Sequence, residues 1–92
     1  MEIADIQILD GEKLRRKHGV QTFEVEEVLR GDTRFFLAEA GHVEGEDVYR
    51  ALGRTDEGRY LILFLIYKRD RTALVLSARD MTRKERNRYG KK

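Results

Sequence analysis

Three short stretches of this 92-residue chain gather side chains that could work on a phosphate or a ribose. Lys13-Leu14-Arg15-Arg16-Lys17-His18 sets four cations and a histidine within six residues. Arginine offers a planar fork of donors and lysine a point charge, so a phosphate could sit among them; cations at a helix C-terminus also simply offset the macrodipole. Glu46 and Asp47 stand before a strand-like run that ends at Gly53-Arg54. A carboxylate there could take a proton from a hydroxyl while Arg54 neutralises charge growing on a phosphate; the plainer reading has acids capping an exposed strand and an arginine in a turn. The third stretch is SARDMTRKERNRYGKK, residues 77–92. From Arg79 onward it holds seven Lys or Arg against Asp80 and Glu85, a net +5 in a chain of only +2. Arg79, Arg83 and Arg86 recur at near-helical spacing, and Tyr89 adds a ring able to stack on a base. Such an excess points to a polyanion partner about as strongly as to a solvated cationic face.

The rest of the composition narrows the chemistry. There is no cysteine, which excludes disulfides, thiolate nucleophiles and cysteine-based zinc sites and fits a reducing compartment. His18 and His42 with Glu44, Glu46 and Asp47 could supply metal ligands, but no HExxH-like spacing appears, so no metal is expected. GHVEG, residues 41–45, lacks the glycine spacing of a P-loop or a dinucleotide turn, and no cofactor is expected. The N-terminus has early acids and no long apolar run, unlike a signal peptide, and the longest apolar run, YLILFLIY at 60–67, is far shorter than the ~20 residues a membrane helix needs. Residues 24–47 carry eight acids against Arg30 and Arg34, so an acidic block faces the basic tail, and the acidic one suits a basic partner.

The elements that must position these residues follow from periodicity and punctuation. A single domain over 1–92 is expected. IADIQIL, 3–9, reads as a strand with Ile6 and Ile8 on one face. Asp10 caps a helix GEKLRRKH that Gly19 ends, and Thr22 opens a second helix that stops at Gly31. Residues 33–37 and 47–53 read as strands, the latter with Val48, Arg50 and Leu52 on one face and Tyr49 and Ala51 on the other. YLILFLIY is apolar on both faces and belongs in the middle of its sheet, followed by a strand at 72–78. Thr82-Arg83-Lys84-Glu85 is a capping box that starts a terminal helix. The pattern is α+β, with helices grouped on one side of a mainly antiparallel sheet.

In combination, RRKHGV (15–20), FEVEEVL (23–29), GEDVYRALGRTDEGRYLILFLIY (45–67) and SARDMTRKERNRY (77–89) resemble the BrnT family of type II toxins. The resemblance implies a RelE-like α+β fold, a twisted, mainly antiparallel sheet with two N-terminal helices and a short C-terminal one. It implies a cytoplasmic endoribonuclease that inhibits translation. A BrnA-like ribbon-helix-helix antitoxin would restrain it, and operator DNA would be met only through that antitoxin.

By the same resemblance Lys17, His18, Glu46, Arg54 and Arg79 form the catalytic set, while Arg15, Arg16, Arg50, Arg83, Arg86 and Tyr89, read from charge and spacing, are expected to bind RNA. The expected reaction is metal-free attack of the 2′-hydroxyl on the adjacent phosphate. Glu46 or His18 would take the proton, Arg54 and Arg79 would stabilise the phosphorane, and His18 or Lys17 would protonate the leaving oxygen. Where the family has an arginine after the paired acids, this chain has Val48, which leaves that role to Arg50 or Arg54. Two other readings compete: a non-catalytic nucleic-acid-binding module, and a degenerate toxin retained for antitoxin binding.

Overall fold

The structure, a computed structural model, describes residues 1–41 and 45–91. His42 and Glu44, named above as possible ligands, lie outside the described residues. In chain order the elements are β1 (Asp5–Ile8), α1 (Gly11–His18), α2 (Thr22–Arg30), β2 (Arg34–Glu39), β3 (Val48–Arg54), β4 (Tyr60–Tyr67), β5 (Thr72–Asp80) and α3 (Arg83–Gly90). The strands form one sheet in the order β1-β5-β4-β3-β2, antiparallel except that β1 runs parallel to β5. β4 is central, as its two apolar faces require.

Local chemistry sets the helix ends. The Asp10 carboxylate accepts from the Lys13 N–H and starts α1, and Gly19, at φ 64°, ends it in the left-handed conformation that a missing Cβ makes cheap. α2 is capped one residue earlier than expected, at Gln21, whose N–H donates to the Glu24 carboxylate. Thr82 and Glu85 exchange the reciprocal bonds of the capping box at α3.

Two packed clusters lie on opposite faces of the sheet. Leu14 of α1 and Val25, Val28 and Leu29 of α2 seal one face over Ala51, Leu61, Leu63, Leu65, Ala73, Val75 and Ala78. Gly53 lets α2 approach this closely, since a Cβ there would lie 2.9 Å from Val28 Cγ1. The other face holds a smaller cluster of Leu52, Ile62 and Met81, with Phe36, Tyr60, Phe64 and Tyr89 packed on it. α3 lies on this second face, so the helices are not all on one side. Its sequence, RKERNRYG, has little apolar surface, and none of its residues is buried, so it covers one end of the face without sealing it.

Candidate functional site

A register shift in β5 sets the direction of the central arginine. Phe64 pairs with Ser77 and Leu65 with Val75, which leaves Leu76 between them without a partner. An extra residue on one strand reverses the alternation beyond it. Ala73 and Val75 therefore face the sealed cluster, yet Arg79, four residues past Val75, pairs across from Ile62 on the open face. Unbroken alternation would have driven the guanidinium into the aliphatic core.

On that open face, at the end where β3 leaves the sheet and β4 enters, is a cleft of about 670 Å³ lined chiefly by Arg54, Tyr60, Arg83, Arg86, Asn87 and Tyr89. The Arg54 and Arg86 guanidinium carbons stand 4.4 and 4.1 Å from the centre of the Tyr60 ring. A ring quadrupole attracts each cation and fixes it without consuming charge, so both remain available to an anion. Arg54 is also oriented by donation to the Gly58 carbonyl, at 3.3 Å from Nη2. Tyr89 meets Tyr60 edge to face at 6.2 Å, and its hydroxyl donates to the Asp32 carbonyl at 2.7 Å. Arg34 of β2 reaches the C-terminal carbonyls of α3, at 3.2 Å from Arg88 O and Tyr89 O, and holds that helix down.

Arg79 is engaged. Its Nη1 and Nη2 donate to the two Glu85 oxygens at 2.8 and 3.0 Å, and the guanidinium stands 5.6 Å from the Phe64 ring centre. The Arg79 pairing holds the Glu85 carboxyl down at a pKa of about 2, helped by its bonds to Thr82, and the same pair raises Arg79. The sequence marked Glu85 only as a helix cap. Its second role needed the strand and helix to be folded against each other.

Arg59, not singled out by any motif, is the hub of this end of the molecule. It donates to Asp80 at 2.8 and 3.2 Å, to Glu24 at 3.1 Å, to the Gly19 carbonyl at 2.8 Å and to the His18 carbonyl at 3.2 Å. One guanidinium thus joins the end of α1, the start of α2 and the end of β5. Asp80 is lowered in pKa mainly by Arg59, with His18 adding to the effect. His18 is therefore carried to the same end of the sheet as Arg79, but on the sealed side. The only sequence signal for Arg59 was a lone arginine between Gly58 and an apolar strand.

The remaining expected residues are dispersed. Lys17, Arg15 and Arg16 are exposed on α1, beyond the sealed face, and Arg16 forms a 3.9 Å pair with Glu12. Arg50 is on the open face opposite Phe64. Glu46 is exposed beside Lys68, Arg69 and Asp70 at the far end of the sheet. β3 alone separates that end from Arg54 by roughly 20 Å at the ordinary rise per residue. The structure thus joins Arg54, Arg83, Arg86 and Tyr89, puts Arg79 and His18 nearby, and does not bring Glu46 to them.

Among the described residues, no group of three or more His, Cys, Asp or Glu is placed to hold a metal ion. No helix among them is long and apolar enough to cross a membrane. A family model described as "Ribonuclease toxin, BrnT, of type II toxin-antitoxin system" matches residues 11–85. No curated protein matches the chain.

Proposed function

The chain belongs to the BrnT family, ribonuclease toxins of type II toxin-antitoxin systems, and from that premise we propose that it cuts RNA without a metal ion at the arginine-lined cleft. The ribose 2′-oxygen loses its proton to a base and bonds to phosphorus. The bond from phosphorus to the 5′-oxygen breaks, and that oxygen takes a proton. The products are a 2′,3′-cyclic phosphate and a 5′-hydroxyl. Arg54 and Arg86 hold the phosphate and offset the charge that grows on it, and Tyr89 and Arg83 guide the flanking strand.

His18 is the proton-exchanging group of this reading, since imidazole is suited to both giving and taking a proton near neutrality. His18 stands at the same end of the sheet as the cleft but on its other side, so this reading requires the RNA to pass over that end, beside Asp80, for one linkage to meet both. Glu85 and Asp80, at this end of the molecule, are both held ionised by arginine and make poor bases. Cleavage of cytoplasmic messages would inhibit translation, and a ribbon-helix-helix antitoxin would supply both restraint and any operator binding.

The observation that carries this reading is the pair of guanidinium groups held on Tyr60, with no carboxylate bonded to either among the described residues. One observation favours a second reading: Arg79 is neutralised by Glu85, as befits a chain that binds RNA or antitoxin without cutting. End-labelled RNA incubated with the purified, partner-free chain in excess chelator separates the two. Cleavage to a cyclic phosphate that is lost in Arg54→Ala and His18→Ala, but kept in Glu46→Ala, supports the proposal. A 5′-phosphate product, or activity that vanishes in chelator, refutes it.

A further inference from the structure

Away from α3 the open face of the sheet has no cover among the described residues. Val48 pairs with Ile66 and Ile66 with Leu74, so three aliphatic side chains form one row across β3, β4 and β5, on the face opposite α1 and α2. All three are part-exposed, and none belongs to either packed cluster. Phe64 and Arg50, a cross-strand pair, form the next row toward the cleft. The Arg50 Nε is buried and has no acceptor among the described residues. Buried donors are almost always paired, so the fold by itself leaves the Arg50 guanidinium incompletely satisfied at this row.

We infer that an acidic, amphipathic segment of the antitoxin seats on this row and extends from it toward the cleft past Arg50 and Arg79. The inference rests on the toxin reading above. Aliphatic side chains of the segment cover Val48, Ile66 and Leu74, and a carboxylate at its edge accepts from Arg50. Arg79, which stands over the Phe64 ring, is within reach of the next acid along. RNA fits this row poorly, because bases are received on aromatic rings or guanidinium planes, whereas three branched aliphatic groups call for side chains of their own kind. The basic side of the face supplies charge complementarity with an acidic segment.

The test uses the whole chain, methyl-labelled, and the antitoxin with which it is co-expressed, separated and titrated back. Antitoxin should shift the Val48, Ile66 and Leu74 methyl signals and leave Val25 and Val28 of the sealed face in place. Ile66→Lys and Leu74→Lys should each weaken antitoxin binding by about tenfold or more while RNA cleavage persists. Wild-type antitoxin affinity in both folded variants, or methyl shifts confined to other surfaces, overturns the inference. A short RNA that shifts these three methyls in place of the antitoxin also overturns it and gives the face to nucleic acid. If neither variant folds, the wild-type titration decides alone. If no RNA is cut in any arm, the ribonuclease reading fails while the antitoxin titration still reports on the surface.

Discussion

The two faces of the sheet are built from one set of strands and do opposite things. Under α1 and α2, Leu61, Leu63, Leu65, Val75 and Ala78 are 0 % exposed and sit in an aliphatic cluster. On the other side, arginines lie against Tyr60, Phe64 and Phe36, and much of the surface stays wet. Apolar burial contributes about 1.5–3 kcal/mol for each fully buried aliphatic side chain, so the sealed face holds most of the stability. The open face is thereby free to keep cations next to rings, where neither is packed as tightly as a core would demand.

The sharpest way to break this comparison is one truncation on each side. Leu63→Ala on the sealed face should cost about 2–5 kcal/mol and lower the urea midpoint accordingly, because it leaves a cavity in the central strand. Arg54→Ala on the open face should lower cleavage about a hundredfold or more, yet change stability by no more than about 1 kcal/mol. If the arginine variant unfolded the chain, or the leucine variant left it as stable as before, the division of labour between the faces would be wrong.

Most of the scaffold was legible because its signals are local. Asp10, Gly19 and the Thr82-Glu85 box each act within a few residues, and YLILFLIY declares a central strand by being apolar on both faces. The site was legible only in part. Arg54, Arg83, Arg86 and Tyr89 were named from charge and spacing, and they do share a cleft. What failed to show depends on register and on contacts between distant segments. The unpaired Leu76 decides which face receives Arg79, and nothing in TALVLSARD announces an extra residue. Placing α3 with the other helices followed from the usual grouping and missed that Met81 tucks onto Leu52 and Ile62. Glu46 looked like a partner for Arg54 because both flank one strand, but a strand's ends are its most distant points.

Acid should separate the faces next. In the folded chain the Glu85 carboxyl titrates at about 2, while in the unfolded chain it returns to its ordinary 4.5. Between those values the unfolded state binds the proton and the folded one does not. The stability from the pair with Arg79 is therefore fully present above about pH 4.5 and lost as pH falls toward about 2. Asp80, lowered by Arg59, adds a loss of the same sign. The Arg79 side chain is 36 % exposed, so solvent screening limits the Glu85 contribution to about 1 kcal/mol. Urea melts at about pH 6 and about pH 2.5 should show a smaller acid loss in Glu85→Gln than in the parent chain. An equal loss in both would mean that the pair contributes nothing to stability.

The smallest expected effect is also the one that asks most directly what the open face is for. Glutamine at position 85 can still accept from the Thr82 N–H, because Gln serves as well as Glu at the third position of a capping box, so α3 keeps its start. What the substitution removes is the charge that competes with phosphate for Arg79. Binding of a short RNA to Glu85→Gln should therefore tighten a few-fold, and the slope of log affinity against log salt should steepen by about 0.7, the increment for one more phosphate contact on a single strand. Arg79→Ala made alone should leave that slope near the parent value, since its guanidinium is already occupied by Glu85. A slope that steepens in Glu85→Gln, and returns to the parent value when Arg79→Ala is added to it, identifies Arg79 as a phosphate ligand held in reserve by its own helix. An unchanged slope in Glu85→Gln makes the pair a strut between β5 and α3 and confines the phosphate contacts to Arg54, Arg83 and Arg86.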